Sequence, residues 1–215
     1  MSLVIKDIKE MITNALNDYG KSLYSYFPGI YDESCELCES PRERNLSLYL
    51  AKILLEKNFL VYQEQPIEKG SRAKIDLIAL NLLDNVILVV EAKRLHNTDE
   101  VEEITEDIRR MDKFNPDKRL FHISSKKLKR FNIAICQSID RTIVAKWTKN
   151  DIKDRGKRWA ALNKELKKAD CVFSLAEPIY QDNECKKCGL CEPEDKYKLF
   201  GMAAIFSNDP VTLKK

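Results

Sequence analysis

An acid at position 76, and an acid, an alanine and a lysine at positions 91 to 93, are the residues of this chain best placed to do chemistry. They fall within two apolar runs, Ala73 to Leu80 and Val86 to Lys93, whose patterning predicts a β-hairpin turning around Leu83 and Asp84. Side chains two apart on a strand share a face, so Glu91 and Lys93 project together while Ala92 faces away. Positions 76 and 91 straddle the turn symmetrically, so antiparallel register sets Asp76 opposite Glu91. Two carboxylates and an ammonium among Ile75, Leu77, Ile78 and Val86 to Val90 are costly to bury unless a cation compensates them. Hard oxygen ligands of this kind suit a magnesium or manganese ion, which keeps positions for a phosphate and an attacking water. Lys93 would then orient or deprotonate that water, or neutralise charge growing on the phosphorus oxygens.

The elements that must position these groups are legible as periodicities. Leu3 to Tyr19 carries apolar residues at helical spacing, with Gly20 as its expected end. A segment with Pro28, Gly29 and Pro41 follows, and Leu46 to Lys57 is then a second amphipathic helix burying Leu46, Leu50, Ile53 and Leu54. Phe59 to Gln65 reads as a strand, and Pro66 to Arg72 as the loop before the hairpin. Asp99 to Lys113 is a helix, acidic early (Asp99, Glu100, Glu102, Glu103) and basic late, which complements its dipole, so its acids are read as dipole and solvent groups. Phe131 to Gln137 is the next strand. Beyond it, Lys149 to Lys168 is predicted as a long basic helix, and Cys171 to Leu175 and Leu199 to Phe206 as short strands.

Asp76, fourteen intervening residues and Glu91-Ala92-Lys93, set in the order helix, three strands, helix, strand, resemble the PD-(D/E)XK nuclease superfamily over roughly Glu43 to Ile139. Where that family places a proline before its first acid, Lys74 and Ile75 stand here. The resemblance implies an α/β fold of restriction endonuclease-like type, a mixed central sheet flanked by helices. It implies metal-dependent hydrolysis of phosphodiester bonds in nucleic acid, DNA foremost, with Asp76 and Glu91 as magnesium ligands and Lys93 as the catalytic cation. Many members add a glutamate from the helix before the first strand. Glu43 is the preferred candidate here, one turn before Ser47 where the expected spacing falls, with Glu56 the other acid on offer.

Charge is segregated along the chain. The net charge is only +3, yet residues 118–168 hold sixteen Lys or Arg against four acids, a balance of +12 that leaves −9 elsewhere. Such a segment attracts a phosphate backbone without regard to sequence. No apolar stretch approaches the roughly 20 residues that cross a bilayer, and Lys6, Asp7, Lys9 and Glu10 are unlike a signal-peptide core. A cytoplasmic protein without a membrane partner is expected, with a homodimer left open. One domain is the expectation at 215 residues, its core at about residues 43–139 and cysteine-bearing extensions at residues 1–42 and 170–215.

Seven cysteines in such a chain argue against a disulfide framework. Cys35 and Cys38 match Cys185 and Cys188 in spacing, and two such pairs can close a tetrahedral structural zinc site that clamps the two extensions together. Cys191 extends the second pair to a run that also suits an iron-sulfur cluster, and plain burial without metal is the third option. Cys136 and Cys171 sit in apolar runs and read as buried small hydrophobes. His96, three residues past Lys93, reads as a hydrogen-bonding loop residue rather than a catalytic one. The alternative to a nuclease is a catalytically silent nucleic-acid-binding or assembly module with the same fold and cysteine clamp.

Overall fold

The computed structural model describes residues 3–26, 44–67, 73–114, 127–148, 156–181 and 198–212. Among them a seven-stranded mixed sheet is flanked by helices on both faces. The chain runs α1 (Ile5–Tyr26), α2 (Arg44–Glu56), β1 (Leu60–Pro66), β2 (Lys74–Asn81), β3 (Val86–Arg94) and α3 (Thr98–Lys113). It continues through β4 (Lys127–Ser138), α4 (Arg141–Thr148), α5 (Lys157–Leu166), β5 (Cys171–Ser174), β6 (Tyr180–Gln181) and β7 (Lys198–Thr212). The strand order is β1-β2-β3-β4-β7-β5, with β6 pairing the start of β7. Among the described strands only β3 and β4 pair in parallel, the two being joined through α3 as a βαβ crossover.

Alternation along the strands divides the interior into two layers. Leu77, Ala79, Leu88, Val90 and Ala92 face α1 and α2, meeting Ile12, Leu16, Leu46, Leu50 and Leu54. Ile78, Leu80, Ile87 and Val89 face the other way, onto Ile104, Ile108 and Met111 of α3, Trp147 of α4, and Trp159 and Leu162 of α5. Strands covered on both sides are apolar along their covered length, and the continuous runs 77–80 and 86–90 are so because β2 and β3 are interior strands.

The helix–three strands–helix–strand order stands as expected, and the buried stripe of α2 is the predicted one. Three expectations are corrected. Gly20 does not end α1, which continues to Tyr26. A β-carbon there would lie 1.9 Å from the carbonyl oxygen of Ile179, so this glycine serves close approach of two backbones rather than helix termination. The long basic helix is shorter: α5 begins at Lys157, after Gly156, and residues 149–155 lie outside the described residues. Finally, Arg141–Thr148 forms a helix that pattern reading did not foresee, burying Ile143 and Trp147. No helix among the described residues is long and apolar enough to cross a membrane.

Candidate active site

The β2–β3 hairpin is built by a local device. Asn81 accepts hydrogen bonds from the amides of Leu83 and Asp84, and Asn85 takes a left-handed φ of 54° to close the turn. This sets the register Asn81↔Val86 through Leu77↔Val90. One further step of the same register brings Asp76 opposite Glu91, and Asp76 Oδ2 accepts a hydrogen bond of 2.8 Å from the amide of Ala92. Glu91 and Lys93 project onto the α3 side, while the Ala92 methyl packs with α1 and α2. The three expected residues thus meet in one cavity of about 310 Å³, at the end of the hairpin away from its turn.

The opposite wall of the cavity is α3, through Glu103, Glu106, Asp107 and Arg110. The helix is anchored at its start by Asn97, which accepts from the amides of Asp99 and Glu100 in a capping box completed by Glu100. Glu100 also holds Arg94, and Arg158 of α5 pairs with Asp99 and Glu102, so these early acids, expected as dipole and solvent groups, also make ion pairs within the fold. At the other end, buried Arg130 donates to the carbonyls of Phe114 and Met111 and to Asn132, fixing the last turn. Held at both ends, α3 presents its middle to the site. Lys93 Nζ lies 2.7 Å from Glu103 Oε2. Arg110 Nη2 lies 2.9 Å from Glu91 Oε1 and 2.7 Å from Asp107 Oδ1.

The electrostatics follow from burial and crowding. Glu91 is only 1% exposed. Burial, then the charges of Asp76 and Asp107, push its carboxyl from an ordinary 4.5 up to about 9, although Arg110 pulls the other way. Burial likewise raises Asp107 to about 6, against the pull of Arg110 and Lys93. Burial opposes the charge on Arg110, but Glu91 and Asp107 more than offset it and hold the guanidinium more firmly protonated. The cavity is therefore an acid-rich pocket short of positive charge.

The expected helix acid is not supplied by the described part of α2, whose buried side chains pack against the face of Ala92. Glu43 lies outside the described residues, and Glu56 is exposed at the far end of α2. The additional acids come instead from α3, and Glu103, expected as a dipole and solvent group, is among those lining the cavity. Asp107 was detectable. Ile104, Asp107, Ile108 and Met111 share the spacing of one buried helical stripe, and an acid inside such a stripe asks for a partner. Cys35, Cys38, Cys185, Cys188 and Cys191 lie outside the described residues, while Cys136 is buried in β4 as expected and Cys171 is half-buried in β5. His96 does not line the cavity. Its amide donates to Glu100, both ring nitrogens are buried without a hydrogen-bond partner among the described residues, and burial lowers its pKa.

Comparison with protein-family models, with curated proteins and with solved structures finds no match. Among the described residues no group of three or more His, Cys, Asp or Glu side chains is arranged to hold a metal ion. A magnesium site is built differently, from one or two carboxylates with water filling the remaining positions. Asp76 and Glu91 meet that need, the first with one oxygen engaged by a backbone amide and the second with one engaged by Arg110.

Proposed function

We propose that the chain is a metal-dependent nuclease of the PD-(D/E)XK type, with a restriction endonuclease-like fold, hydrolysing phosphodiester bonds, DNA foremost. The observation that carries this reading is the convergence of Asp76, Glu91 and Lys93 in one cavity at hairpin register. The α2–β1–β2–β3–α3–β4 order of the surrounding elements supports it. The donor set fits a hard cation, because a carboxylate as buried as Glu91 needs positive charge to stay ionised. Asp76 and Glu91 would hold magnesium or manganese, which when bound supplies charge neutralisation at the phosphate and a more acidic water. Lys93, steadied by Glu103, stands beside that position with a charge for the phosphorus oxygens or the attacking water. In the reaction the water oxygen bonds to phosphorus, the bond to the leaving ester oxygen breaks, and a proton moves from the one oxygen to the other.

Nucleic acid is the partner this reading requires, and the basic segment supplies part of its grip. Three of its cations are already committed within the fold: Arg130 to α3, Arg158 to Asp99 and Glu102, and Lys168 to Glu165. Lys157 and Lys164 of α5 and Lys167 at its C-cap stay exposed.

A second reading, the catalytically silent nucleic-acid-binding module, is favoured by one feature, the contact that Arg110 already makes with Glu91. Incubating purified protein with supercoiled, linear and single-stranded DNA separates the two. The nuclease reading expects cleavage that chelation abolishes and that Asp76→Ala and Lys93→Ala each eliminate. It also expects Lys93→Ala to keep its manganese binding in calorimetry. Undiminished cleavage by both variants would remove the assignment.

A further inference from the structure

We propose that Arg110 is an internal cation, hydrogen-bonded to the Glu91 carboxyl, that a divalent cation displaces from it when the site fills. The inference rests on the cation-dependent reading above. Arg110 Nη2 serves Glu91 and Asp107 at once, at 2.9 and 2.7 Å, and so places a positive charge against the buried acid that the cation would need. Two cations on one buried carboxyl repel each other strongly even when each takes a different oxygen.

The guanidinium is built to leave. The same fold contains a structural arginine for comparison. Arg130 is 5% exposed and spends its nitrogens on Asn132, Phe114 and Met111. Arg110 has a side chain 31% exposed, and its Nε is buried without a hydrogen-bond partner among the described residues. Leaving Glu91 therefore sacrifices an incompletely satisfied arrangement. It also leaves Arg110 close to helix neighbours, Asp107 three residues earlier and Glu106 four earlier, so its charge stays at the rim of the pocket. The exchange keeps the acids compensated in both states, which a pocket of this charge requires.

The test is manganese binding to the full chain by calorimetry, for wild type, Arg110→Met and Arg110→Lys. Removing the competing charge should tighten manganese binding by about tenfold or more in Arg110→Met. Arg110→Lys, which keeps the charge, should stay within about threefold of wild type. Arg110→Met should also unfold at a lower temperature than wild type in chelator, with manganese closing that gap. Equal or weaker manganese binding by folded Arg110→Met overturns the exchange. Should that variant not fold, wild-type protein labelled with 15N-arginine replaces it. Its Arg110 Nε–H signal, assigned as the one missing from Arg110→Lys, must shift during a magnesium titration, and an unmoved signal overturns the proposal. No arm reads cleavage. A wild type that binds manganese beside an Arg110→Met that gains nothing sinks the exchange alone, whereas a wild type that binds none sinks both it and the metal-dependent nuclease.

Discussion

Replacing Glu91 by Gln should make the metal-free protein more stable, and increasingly so as pH rises. In the fold Glu91 keeps its proton up to about pH 9, against an ordinary value of 4.5 in the unfolded chain. Between those values the native state binds more protons than the unfolded state, so unfolding free energy falls as pH rises. The slope for one group is up to about 1.4 kcal/mol per pH unit. The contribution is fully favourable below pH 4.5 and fully lost above pH 9. At pH 7 the accumulated loss is about 3 kcal/mol. Gln cannot ionise, yet its carbonyl oxygen can still accept from Arg110, so the variant escapes this loss while keeping the hydrogen bond.

Asp107 also titrates with a raised value, near 6, and adds its own decline between an ordinary 3.8 and that pH, in both proteins. Above pH 6 its contribution is flat, so the difference between the two proteins isolates Glu91. Urea unfolding in chelator at pH 6, 7 and 8, followed by the fluorescence of buried Trp147 and Trp159, measures it. The advantage of Glu91→Gln should grow by about 1.4 kcal/mol per unit across that range. Manganese at 100 times its dissociation constant should then restore about 2.7 kcal/mol to wild type and little to the variant. A stability difference that does not change between pH 6 and 8 refutes the argument, because it would mean that Glu91 is already ionised against Arg110 in the empty site.

Gly20→Ala should destabilise by about 3 kcal/mol, since the added carbon collides with the Ile179 carbonyl, and a thermal midpoint equal to wild type would contradict that contact. Arg130→Met strands the carbonyls of Phe114 and Met111 and should lose about 3 kcal/mol in urea unfolding, with hydrogen exchange rising first in the last turn of α3. Changing Lys157, Lys164 and Lys167 together to Glu should weaken DNA binding regardless of sequence and lower the slope of log affinity against log salt by about three, whereas an unchanged slope would make these lysines solvent groups only. Elemental analysis of protein purified without added metal should find about one zinc per chain for a site made of Cys35, Cys38, Cys185 and Cys188. Iron would bring Cys191 into the ligand set, and metal-free protein that is fully folded would exclude both.

The parts of the fold that sequence pattern reached are those where one local signal dominates. β2 and β3 are interior strands, so their apolar runs are unbroken from residue 77 to 80 and from 86 to 90, and the Asn81 turn between them fixes their register. α3 carries a capping box and opposite charges at its two ends, each sufficient to mark a terminus. Gly20 failed as a stop signal because glycine answers two needs, a left-handed backbone and absence of a side chain, and only tertiary structure distinguishes them. α4 failed for another reason. Its eight residues fully bury only Ile143 and Trp147, too few to establish a period.

The site was legible as a hairpin and obscure as a pocket, because a pocket needs a second wall. Register alone joins Asp76 to Glu91, and alternation alone joins Glu91 to Lys93, so those three follow from one hairpin. Which helix closes over them depends on which face of the sheet the side chains take, and alternation does not say which face α2 or α3 will cover. The βαβ crossover decides it: α3 leaves β3 directly beyond Lys93 and returns to parallel β4, which lays its middle turns over the same face that Glu91 and Lys93 occupy. Asp107 inside an apolar stripe, three residues before an arginine, then has only one place to point. An acid at a core position of the crossover helix is thus evidence about the strand acids, and the Arg110 bridge between Asp107 and Glu91 is the physical form that evidence takes.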